Sequence, residues 1–170
     1  NTWASAGGYS IDEIDMWQLG DWLTGTAEPI TADWLQVNRF GASKLGTGMS
    51  QSSGIFTFPS TGFWLYTMTF TQRTESSADR GAYYAQTTLD NSNYNKTLDL
   101  RPGAGMYSGT VGGVNGYGSC SGQAFFDVTS TSNCKIRFGV IQSDTSNKTV
   151  GISTGTVFVS TVMFIKLADT

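Results

Sequence analysis

The chain has 170 residues, of which 14% are charged and 13% aromatic, with a formal net charge of −3. That length suits one domain with a sizeable core, and the ten Lys and Arg are scattered, which argues against a nucleic-acid binder because phosphate neutralisation needs clustered cations. No apolar run nears the roughly 18 residues of a membrane helix, and the amino terminus has no basic segment followed by an apolar one, so a soluble chain without membrane insertion is expected.

In chain order the sequence reads as short β runs between polar, Gly-rich turns. The first candidates are 11–19 and 34–40, followed by 55–58. The strongest is 62–72, where Trp64, Tyr66, Met68 and Phe70 alternate with Thr67, Thr69 and Thr71, as a strand with one buried face requires. Pro59 and Gly62 bracket the tight turn that leads into it. Then come 81–89 and 96–100, and a Gly-rich passage from Gly103 to Gly118. After it, Ala124, Phe126 and Val128 oppose Gln123, Asp127 and Thr129, and Cys134, Ile136, Phe138 and Val140 oppose Lys135 and Arg137. The last run, Thr156 to Leu167, is apolar on both sides, which fits burial within a sandwich or at a subunit contact. About eight to ten antiparallel strands at this spacing predict an all-β jelly-roll sandwich.

Cys120 and Cys134 permit one bridge, which an oxidising compartment would favour. Taken as the starts of two successive antiparallel strands turning near Thr131, they are out of register, since position 120 would face a residue near 142. Two separate small hydrophobes are the preferred expectation, with the bridge left open.

The chain has no His, hence neither the usual general base nor the commonest metal ligand. The carboxylates Asp12, Glu13, Asp15 and Asp21 offer the material of a glycosidase pair, but Glu13 and Asp15 share a strand face that is more simply a solvated one. The expectation is a protein that is not an enzyme and holds no cofactor. Calcium is the one ion with candidate ligands, in the oxygens of Asp90, Asn91 and Asn93, although an Asn-rich turn is usually only a turn. Met106, Tyr107 and Tyr117, set among small polar residues of the Gly-rich passage, form the candidate recognition loop. Trp34 is read as core. Trp3 and Tyr9 belong to an amino-terminal arm and first strand, residues 1–30, expected to dock on a neighbour, with the jelly roll occupying 31–170.

Phe56, five residues, Gly62, and the aromatics Trp64 and Tyr66 resemble the signature of the complement globular-head and tumour-necrosis-factor superfamily. Gly54 to Thr57, Pro59 and the closing run FVSTVMFIKL match it too, while Met49, Lys44 and Thr161 depart from it. The segments MWQLGDWLTGTAEPI, with its turn residues Thr24, Gly25, Pro29 and Ile30, and FGASKLGTGMSQSSGIFTFPSTGFW are similar to modules in structural proteins of marine bacteriophages. This resemblance implies a homotrimer with the closing strand near its axis. Trp64, Tyr66, Tyr83, Tyr84, Phe158, Val162 and Phe164 would then furnish the core and the subunit contact. It further implies a virion-surface protein, a tail fibre, spike or capsid decoration that binds other virion proteins and a host-surface glycan. The alternative is a secreted or surface carbohydrate-binding lectin of the same fold.

Overall fold

The computed structural model describes residues 11–31, 33–39, 41–74, 81–102, 116–142, 144–152 and 159–170. Among these, twelve strands run in the order β1 (Ile14–Leu19), β2 (Leu23–Thr24), β3 (Trp34–Gln36), β4 (Ser50–Ser52), β5 (Ile55–Thr57) and β6 (Gly62–Thr74), then β7 (Ala82–Thr88), β8 (Asn95–Leu100), β9 (Gly116–Val128), β10 (Lys135–Ile141), β11 (Lys148–Thr149) and β12 (Thr161–Ala168). They form two antiparallel sheets, the jelly-roll sandwich expected. The first has the order β2-β11-β6-β12-β1-β3, with β9 on the free side of β6, and the second β4-β5-β10-β7-β8.

β6 organises the first sheet because its alternation persists through all 13 residues, with every even position from Gly62 to Thr74 buried. Trp64, Tyr66, Met68 and Phe70 meet Phe56, Phe58, Tyr83, Ile136 and Phe138 from the second sheet in one core. Phe56 lies edge-on to Trp34 at 5.3 Å and to Phe138 at 5.7 Å, and Phe70 stacks on Tyr83 at 5.0 Å. Such pairs contribute about 0.5–1.5 kcal/mol each beyond burial. Trp34 sits in this core as expected, its indole N–H donating to the Ile30 carbonyl at 2.9 Å. Gly62 turns the chain into β6 at φ 139°, and a Cβ there would run into the Ala168 carbonyl and stand 2.7 Å from Lys166 Cε.

Several expectations need correction. β2, β4 and β11, of two or three residues each, escaped notice because so short a run has no period. Gly116 to Gly118 are the start of β9, held by Thr74 to Gln72 of β6. β9 and β10 are no hairpin: β9 pairs with β6 in the first sheet, and β10 with β5 and β7 in the second. Cys120 therefore lies opposite Phe70 and Cys134 sits beyond the turn between the layers, so the assumed strand pairing was wrong, but both are buried free thiols, as preferred. The closing strand is not buried alike on its two faces. Val162 and Phe164 face the core, whereas Thr161, Met163 and Ile165 are half-buried on the other side. β1 lies inside the first sheet, between β12 and β3.

Candidate functional site: the open face of the first sheet

Two sheets that share one core each leave an outer face, and on the first sheet that face is apolar at one end. Register places Ile14 of β1, Ile165 of β12, Leu65 of β6 and Phe125 of β9 in one cross-strand row. Met16 and Met163 stand in the next row with Thr67 and Gln123. Phe125 is 68% exposed, Phe63 45% and Leu167 41%, while the other apolar members are half-buried. Further along β6 and β9 the face becomes a hydroxyl ladder, with Thr69 bonded to Ser121 at 3.0 Å and Thr71 to Ser119 at 2.8 Å. The apolar row is flanked by Thr67 and Gln123 on one side and by Phe63 and Asp127 on the other, and a contiguous apolar patch with a polar rim is the character of a contact surface.

The residues singled out from the sequence fall in different places. Trp64, Tyr66, Val162 and Phe164 point between the sheets. Successive strand side chains alternate, so it is their neighbours Leu65, Met163 and Ile165 that reach the outer face. Tyr83 is also internal, its hydroxyl 3.0 Å from Thr149 Oγ1, and burial holds its proton well above the usual phenol range. Tyr84 is buried on the outer side of the second sheet, where its hydroxyl donates to Glu28. Tyr117 is 54% exposed at the start of β9, opposite Arg73. Trp3, Tyr9, Met106, Tyr107 and Phe158 lie outside the described residues.

The carboxylates expected to be solvated are bound into the structure instead. Asp15 is buried, and Oδ2 accepts from Met49 N–H at 2.7 Å and Trp17 Nε1 at 2.8 Å, with Gln36 Nε2 at 3.0 Å. Glu13 accepts from the N–H groups of Thr47 and Gly48 at 3.0 and 2.9 Å. Together they clamp three successive N–H groups of the loop before β4, and Asp21 accepts from Trp22 N–H. Asp90 is bound within its own turn, accepting from Asn93 N–H and Nδ2, Thr88 Oγ1 and Ser92 N–H, which holds its carboxyl well below the usual range. Asn91 beside it takes a left-handed φ of 57°. Among the described residues no three His, Cys, Asp or Glu gather as metal ligands would, and no helix is long and apolar enough to cross a membrane.

No family model matches the sequence, and no curated protein matches it. Solved structures do. Murine APRIL, crystallised at pH 5.0, superposes with a TM-score of 0.62 at 13% identity, over 91% of this chain and 98% of that one. Eiger TNF from S. frugiperda gives 0.63 at 13% identity, over 95% and 96%. At such identities the likeness shows the fold alone, a jelly-roll sandwich of the tumour-necrosis-factor kind. The viral side of the expectation rests on the sequence segments.

Proposed function

We propose that this chain is a non-enzymatic structural and binding subunit that forms a homotrimer through the outer face of its first sheet. In this reading it is displayed on a virion surface as a tail fibre, spike or capsid decoration, where it contacts other virion proteins and a host-surface glycan. The observation that carries the assembly is the row Ile14, Ile165, Leu65 and Phe125, apolar across four strands, with Phe125 exposed and the other three half-buried in the single chain. Burying such a row against copies of itself follows from the hydrophobic effect. The threefold count and the virion setting come from the sequence resemblance. The non-enzymatic reading is supported by the lack of His and by the structural bonds that occupy Glu13 and Asp15.

Light scattering on the purified chain is expected to report about 55 kDa, three times 18.3 kDa; a monomer at all concentrations would sink the assembly. Antibody labelling of purified phage particles tests the setting, and absence of label from both capsid and tail would remove it.

A further inference from the structure

The outer face of the second sheet carries a different chemistry. Across its strands runs the row Ser52, Ile55, Arg137, Gln86 and Lys96. Lys96 reaches this face because β8 bulges opposite Ala85 and Gln86, which re-aims the side chain. The Arg137 guanidinium lies 4.0 Å from the centroid of the Tyr94 ring, and its Nε donates to Gln86 Oε1 at 2.7 Å. These two contacts fix the plane of the fork and use one donor. Among the described residues the two terminal nitrogens of Arg137 have no hydrogen-bond partner and Arg137 forms no ion pair. Among the described residues the Tyr94 hydroxyl is buried without a hydrogen-bond partner. The ring is held there as a platform under Arg137. Lys96 lies 4.3 Å over the Tyr84 ring and pairs with Asp99 at 3.3 Å, and Lys135 stands in the neighbouring row with Thr57. Glu28, bonded to Tyr84, and Asp90, bonded to Thr88 opposite Lys135, are further anions on this side.

We propose that this face binds an acidic polysaccharide, whose carboxylate or sulfate is held end-on by the two terminal nitrogens of Arg137. A planar fork already stacked and tethered loses little freedom on binding an oxyanion with two parallel bonds. The surroundings suit a sugar better than a peptide: Ser50, Ser52, Thr57 and the Gln86 amide offer hydrogen bonds, and half-buried Ile55 is the apolar member of the row. This face belongs to the opposite layer from the proposed assembly surface, so the site stands whether or not the chain trimerises.

The test is binding of the 170-residue chain to immobilised alginate, dextran sulfate, neutral dextran and polyglutamate at low and physiological salt. Alginate or dextran sulfate is expected to bind and neutral dextran not to; which of the two binds tells carboxylate from sulfate. Arg137→Gln is expected to weaken binding about tenfold or more, and Arg137→Lys also, because a point charge cannot replace the fork. If Arg137→Gln lowers the thermal midpoint, Lys96→Gln, an exposed change that leaves the Tyr94 stack in place, carries the test with about a threefold loss. Failure of both polyanions to bind, or parental affinity in the Arg137→Gln and Lys96→Gln variants, overturns the proposal. Polyglutamate binding as tightly as alginate overturns the saccharide assignment in favour of an acidic peptide. Light scattering on the same samples separates any of these results from a failure of assembly.

Discussion

Replacing Phe125 with Ser tests the assembly face where its effect on the isolated fold is smallest. A Phe has roughly 150–250 Å² to bury, and with 68% exposed in the single chain about 100–170 Å² of it is open. At about 25 cal/mol per Å², burial in an assembly contributes about 2.5–4 kcal/mol per chain, or about 7.5–12 kcal/mol per trimer. The concentration at half-assembly of a trimer varies as the inverse square root of the association constant, so the full term corresponds to roughly five-hundredfold to twenty-thousandfold. Ordering costs and imperfect packing at the contact reduce it, leaving roughly a hundredfold as the working figure. Sedimentation velocity over a dilution series reads that midpoint directly, and Lys96→Gln on the other sheet should leave it in place. The unfolding temperature of the dissociated chain should be little changed, since Phe125 is outside the core. An unshifted midpoint in Phe125→Ser would refute the assignment of this face.

Three further outcomes follow from the geometry. Asp15→Ala strips the acceptor from Met49 N–H, Trp17 Nε1 and Gln36 Nε2 and is expected to cost about 2–5 kcal/mol in urea unfolding; a loss below about 0.5 kcal/mol would show that other bonds hold the loop before β4. Gly62→Ala forces a residue with a Cβ into φ 139° against the Ala168 carbonyl, for about 1–3 kcal/mol or more, and an unchanged melting temperature would contradict the fit. Asp90 has its carboxyl pKa depressed, first by the Asn93 N–H and then by the Asn93 amide, Thr88 and Ser92. Its contribution is therefore present above the ordinary value of 3.8 and lost as pH falls through the lower folded value. An NMR titration should find Asp90 still ionised at about pH 3, and a midpoint near 3.8 would show the turn bonds absent in solution.

Much of the core was legible, because period-two alternation is a local property of the chain. Trp64, Tyr66, Met68 and Phe70 declare an inward face by spacing alone, and Ile136 and Phe138 do the same in β10. Phe125 was passed over for a physical reason. Reading β9 as Ala124, Phe126 and Val128 against polar neighbours accounts for the dry face and leaves an aromatic among Gln123 and Asp127 unexplained. That odd residue on the wet face was the available signal, and it stands 68% exposed. Asp15 was misread as solvated because its principal partner, Met49 N–H, lies 34 residues away. The Arg137, Gln86 and Tyr94 group likewise exists only where β10, β7 and the approach to β8 meet.

From the sequence alone came the fold class, the inward set of the long strands, and the turn at Gly62, all of which depend on side-chain period and backbone sterics within a few residues. Tertiary structure alone decided that β9 and β10 belong to different sheets, that Cys120 and Cys134 are separate thiols, and that the Gly-rich start of β9 is strand. It also decided what each outer face presents, an apolar row on one sheet and a tethered guanidinium on the other. Those features depend on register between strands far apart in the chain, and a shift of one residue in pairing would turn each side chain to the opposite face.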